Sequence, residues 1–160
     1  MDKTTRAKRK AFREKYTSMT FCMCLLCGRL IYNFNVNDAL LHLTIDHIKP
    51  DSEGGTYDEH NTQPAHYKCN NARGSNSLKI SRRTDLEKGI ETVSCSHTDI
   101  SRTRHKVVVT YNLNTGIINS KICTVTQSGV ITNEEIMYDM YGNQLNAQHN
   151  VRCYKRNHKR

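Results

Sequence analysis

The strongest constraint on this chain is a pair of matched spacings. Cys24 and Cys27 are separated by two residues and followed by Gly28, and His66 and Cys69 repeat the interval further on. Two side chains so spaced on a tight turn converge on one point, and glycine lets the backbone curl beneath them. Together the half-sites offer three thiolates and one imidazole, the donor set of a tetrahedral zinc. Four protein ligands leave no open position, so such a zinc holds the fold together and does not catalyse. Cys22 also precedes Cys24, so "CMC" leaves a second thiol as a candidate, although its interval to Cys27 makes a poorer knuckle.

The rest of the composition agrees with a small, metal-assisted fold. Of 160 residues, 36% are hydrophobic and none is Trp, so the core is modest and a metal staple is useful. Seven cysteines is an odd number. The first fifteen residues are too charged for a secretory signal, and "TFCMCLLCGRLI" is too short to span a membrane. These features lead us to expect a cytoplasmic, reduced protein without membrane segments, in which Cys means metal before disulfide. The net charge of +9 is uneven. Residues 1–15 hold seven Lys/Arg against two acids, residues 152–160 hold five against none, and the stretch between holds twelve against thirteen. Basic tails on a nearly neutral body are the footprint of a polyanion-binding protein, and nucleic acid is the usual polyanion. Lys8, Arg9 and Lys10 in the first tail and Arg156 in the second are the candidate contacts.

Patterning divides the chain into three parts. Residues 1–19 carry a basic helix over 3–16, with Ala7, Ala11 and Phe12 as a thin apolar stripe. Residues 20–80 read as strand, Cys-containing turn and strand over 20–32, then a linker or short helix near 36–42. A strand over 43–46, a Gly/Pro-rich loop, a short strand at "TQPA" and a helix over 66–73 ended by Gly74 follow. Residues 81–160 are β-rich, with runs at 106–111, 117–126, 130–132 and 136–138. They are separated by "NLNTG", "QSG" and "YGN", which predicts a small antiparallel meander. The fold class is α+β.

A second constellation lies between the zinc half-sites. Asp46 and His47 end the third strand, Asn61 follows the loop, and Asn70 comes directly after Cys69 on the helix. The string "DHIKPDSEGGTYDEHNTQPAHYKCNNARG" resembles the HNH endonucleases. The Asp-His-Ile-x-Pro run, the Gly-Gly loop, the Asn-x-Gln turn and the Cys-Asn-x-x-Arg-Gly helix recur there in that order. The resemblance covers residues 24–74 and is to the zinc-stabilised kind found in phages and mobile elements.

The resemblance implies a ββα-metal core and a metal-dependent endonuclease that hydrolyses DNA phosphodiester bonds. It implies that His47 is the general base for water, that Asp46 and Asn70 hold one Mg²⁺ or Mn²⁺, and that Asn61 fastens the loop so that the His47 ring is correctly turned. Asn70 stands where many relatives have His. Lys68 and Arg73 on the helix are expected at phosphates. Because neighbours in a strand face opposite ways, one of Asp46 and His47 is expected just past the strand end. Cys95, His97, Cys123, His149 and Cys153 show no spacing that demands a second metal. The alternative from another functional class is a non-catalytic, zinc-containing DNA- or RNA-binding module with the same shell.

Overall fold

The computed structural model describes residues 1–33 and 37–153, so Arg156 and the tail beyond Cys153 lie outside the described residues. The basic helix forms as expected. Helix α1 (Lys3–Thr17) is capped by Asp2, whose carboxylate accepts from the Thr5 N–H at 2.6 Å. None of its residues is buried. Its lysines tie it to the loop ahead of the fourth strand: Lys8 pairs with Asp58, and Lys15 Nζ lies 2.5 Å from Glu59.

Strands β1 (Phe21–Cys24) and β2 (Arg29–Tyr32) form an antiparallel hairpin with the Cys-containing turn at its tip. Gly28 closes that turn at φ +74°, a left-handed conformation that side chains rarely adopt. It also lets the hairpin lie against the C-terminal sheet. A Cβ there would stand 2.6 Å from both Ile122 Cγ1 and Ser120 Oγ, and the Ser120 hydroxyl donates to the Gly28 carbonyl at 2.6 Å. Strands β3 (Leu43–His47) and β4 (Thr62–His66) pair antiparallel, with Asp46 opposite Gln63 and His47 opposite Thr62. Helix α2 (Tyr67–Arg73) follows β4 without a gap. Strand, strand and helix thus follow in the expected order.

The meander is larger than the sequence pattern suggests. Strands β5 (Leu78–Asp85), β6 (Ile90–Thr98), β7 (Arg104–Asn112), β8 (Ile118–Val125), β9 (Val130–Tyr138) and β10 (Gln144–Cys153) form one sheet in sequential antiparallel order. Alternation puts Val93, Cys95, Val107, Val109, Ile122 and Ile136 on one face, all buried. That face packs on Met23, Leu25, Leu26, Leu30 and Ile31 of the hairpin, in one hydrophobic cluster. Each fully buried aliphatic side chain contributes about 1.5–3 kcal/mol. The cluster crosses residue 80, so the sheet and the segment before it share a core. Among the described residues, no helix is long and apolar enough to cross a membrane.

Candidate active site

The two Cys/His half-sites come together. One ligand atom from each of Cys24, Cys27, His66 and Cys69 lies within 4.8 Å of all the others. The hairpin turn supplies the first two and the β4–α2 junction the last two. His66 Nδ1 is 3.4 Å from Cys27 Sγ and 3.8 Å from Cys69 Sγ. Ligands about 2.3 Å from a tetrahedral zinc stand roughly 3.8 Å apart, so the donor set fits that ion. His66 Nε2 sits 3.1 Å from the Leu30 carbonyl. That contact assigns the proton to Nε2 and leaves the Nδ1 lone pair facing the thiols, the usual arrangement behind a metal-bound imidazole. Hydrogen bonds from Cys24 and Cys69 hold the Cys27 thiol well below its ordinary range, with His66 adding to the pull. Cys22 belongs to β1 and is not in the cluster.

The second constellation is assembled around β3. His47 is half-buried, and its ring meets Tyr57 edge-on with centroids 4.4 Å apart. Its Nε2 is buried without a hydrogen-bond partner. Burial lowers its basicity below the ordinary 6.5, against the opposing fields of Asp51 and Asp46. Asn61 is buried and clamps the loop after His47. Its Oδ1 accepts from the Lys49 N–H at 2.8 Å, and its Nδ2 donates to the carbonyls of Lys49 at 3.2 Å and Thr56 at 2.9 Å. Its own carbonyl accepts from the Ile48 N–H at 2.8 Å. Gly55 completes the loop, because a Cβ there would overlap the Lys49 carbonyl. Asn70 faces β3, donating from Nδ2 to Thr44 Oγ1 at 3.3 Å and to the Ile45 carbonyl at 3.0 Å.

Residues 24–76 match the family model for HNH endonuclease. No curated protein and no solved structure gave a match. The HNH segment covers about a third of the chain and contains the Cys/His cluster, β3, β4 and α2; helix α1 and the whole β5–β10 sheet lie outside it.

The geometry departs from four expectations within and beside the HNH segment. Asp46 and His47 both lie inside the β3 ladder, so their side chains take opposite faces, and neither stands past the strand end. Asp46 is only 1% exposed, and both its oxygens are engaged: Oδ1 by Arg73 Nη1 at 2.5 Å and Oδ2 by Gln63 Nε2 at 2.8 Å. As arranged, Asp46 and Asn70 do not offer an open pair of ligands to a divalent ion. Arg73, expected at a phosphate, is likewise 1% exposed. Its guanidinium also binds the carbonyls of His47 at 2.6 Å, Ile48 at 2.9 Å and Asn76 at 3.0 Å. The fork is fully used inside the protein. Lys8 is held by Asp58, and Lys10 Nζ lies 3.6 Å from Glu14, so neither is a free cation. Arg9 stacks over the Tyr57 ring at 5.7 Å, whereas Lys68 is exposed.

Sequence reasoning missed two residues of this site. Gln63 was visible within the Asn-x-Gln turn, and its place opposite Asp46 follows from the β3–β4 register. Tyr57 stands in the loop with no periodicity to mark it.

Proposed function

We propose that the protein is an endonuclease that hydrolyses DNA phosphodiester bonds, with His47 as the general base. The observation that carries this reading is the HNH match, whose span includes His47 and the Asn61 clamp that fixes the next two residues. His47 Nε2 is buried, so Nδ1 is the nitrogen that can meet water. A neutral imidazole with its lone pair on Nδ1 can take a proton from water as the oxygen attacks phosphorus. Lowered basicity keeps the ring neutral at pH 7.

The family uses divalent ions, which in phosphate hydrolysis offset charge on the phosphate and the leaving oxygen. Asp46 can serve such an ion only where Arg73 releases it; Asn70 has an amide oxygen without a partner among the described residues. The zinc reading assigns Cys24, Cys27, His66 and Cys69 a structural role. The closed Asp46–Arg73 pair favours the second reading, a zinc-containing DNA-binding module without catalysis.

Supercoiled-plasmid cleavage in Mg²⁺ or Mn²⁺ separates the two. Wild type is expected to nick or linearise the plasmid, His47→Ala to lose at least about 10²-fold in rate, and EDTA to stop the reaction. Cleavage should fall as pH drops below the ordinary histidine range, because protonation through the lowered pKa removes the base. A wild-type protein that shifts DNA in a gel yet never cuts it would overturn the nuclease reading in favour of the module.

A further inference from the structure

The six-stranded sheet has one face on the hairpin and an opposite face that no helix covers among the described residues. Register decides what stands there. Lys79, Ser96, Lys106 and Cys123 share one cross-strand row, Ser81, Ser94, Val108 and Lys121 the next, and Arg83, Thr92, Thr110 and Asn119 a third. Arg104 and Arg152 share a fourth through Val125 and Ile131. The open face therefore carries Lys79, Arg83, Arg104, Lys106, Lys121 and Arg152, all exposed. None of the six has a carboxylate partner among the described residues. The two acids on the same face are already engaged: Glu135 accepts from Asn119 Nδ2 at 2.9 Å, and Asp85 accepts from the Lys88 N–H at 3.0 Å.

Lysines that serve only solubility are usually interspersed with acids, as Lys8, Lys10 and Lys15 of α1 are here. The sheet face instead carries six cations against two carboxylates, Glu135 and Asp85, among Ser, Thr and Asn, groups that also donate to phosphate oxygens. Six strands about 4.8 Å apart span roughly 24 Å, about two major-groove widths. A groove lined by Asn76, Lys79, Ser96 and Arg104 joins this face to the end of the HNH segment.

We infer that the open face of the β5–β10 sheet docks duplex DNA through its phosphates, as a second surface beside the HNH segment. The choice of DNA over other polyanions rests on the nuclease reading; the phosphate chemistry rests on the face itself. These contacts position a duplex and do not read its bases.

The test uses the full chain carrying His47→Ala, which prevents cutting, with and without Lys79→Ala, Lys106→Ala and Lys121→Ala together. Binding of a labelled duplex DNA is followed by fluorescence anisotropy at several salt concentrations. The triple substitution is expected to raise Kd about tenfold or more and to reduce the slope of log K against log salt by about 2–3, near one per lost phosphate contact. An unchanged Kd and slope would overturn the inference. Tighter binding of duplex RNA of the same sequence, through the same lysines, would overturn the assignment to DNA. Should the triple variant fail to hold zinc and fold, Arg83→Ala with Arg104→Ala and Arg152→Ala supplies the same comparison. The two readings fail separately. Wild type that binds through this face without ever cutting plasmid removes the nuclease and leaves the docking surface. Intact cleavage with lysine-independent binding does the reverse.

Discussion

Asp46 and Arg73 face each other at 2.5 Å where each is 1% exposed. Burial pushes the Asp46 carboxyl up, and Gln63 and Arg73 pull it back down. A carboxylate taken this far from water is costly unless its partner and hydrogen bonds are retained. Arg73 also holds the His47 and Ile48 carbonyls, so it ties the end of β3 to α2 just where His47 is displayed. Arg73→Ala would leave that carboxylate without its cation, and a loss of about 3–5 kcal/mol is expected in urea unfolding with zinc present. A loss below about 1 kcal/mol would mean that water already reaches the pair. Arg73→Lys should fall between, since an ammonium keeps the charge but lacks the planar fork that spans four acceptors. The inward placement was not read from the sequence, where charge alone sent Arg73 to a phosphate. Arg73 lies three positions after Asn70, on the same side of a helix, and that side faces β3.

The Cys/His cluster binds two elements far apart in sequence, the β1–β2 hairpin and the β4–α2 junction, and its turn rests on β8 through Gly28 and Ser120. Because hairpin and sheet share one core, zinc removal should not merely fray the knuckle. Close to one zinc per chain is expected by metal analysis. Stripping it with a chelator should lower protection from hydrogen exchange in β6–β8 together with β1 and β2, as structural zinc contributes about 10–16 kcal/mol in small domains. Sheet protection that survives zinc loss would show two independent cores. The knuckle was readable because its chemistry demands particular residues at fixed intervals. Strands β7, β8 and β9 were readable because interior strands alternate apolar and polar. The two sheet edges were not. Strand β5 is polar along "SRRTD", and every residue of β10 is exposed, so neither carries a hydrophobic period. Strand β6 is interior, but its buried positions include Cys95 and His97 in place of aliphatic residues, which hid the alternation.

Charge and burial acquire their meaning only when the whole chain is assembled. The stretch between the tails sums to nearly zero, yet pleating sends five of its twelve bases to the open sheet face and most of its acid elsewhere. Glu134 pairs with Arg29, Asp58 and Glu59 with α1, and Asp46 with Arg73. Counting along the sequence averages this separation away. The same assembly buries His97 between sheet and HNH segment, 8% exposed, with its ring stacked on His105 at 4.6 Å and its Nδ1 unpartnered. Burial, then His105 and Arg73, push its pKa down to about 4, while Asp99 and Cys27 oppose the shift. The folded protein therefore holds His97 neutral where the unfolded chain, near 6.5, takes up a proton. Its contribution to stability is complete above pH 6.5, declines as pH falls, and is lost by about pH 4. For a side chain that water still touches, the change is on the order of 2 kcal/mol. His97→Phe keeps a ring of similar shape against His105 and cannot titrate. Its unfolding free energy, measured from pH 7 to pH 4 with zinc content followed in parallel, should fall by about that much less than that of wild type. Parallel curves would assign the acid sensitivity to the Cys/His cluster instead, because zinc loss acts on both proteins alike.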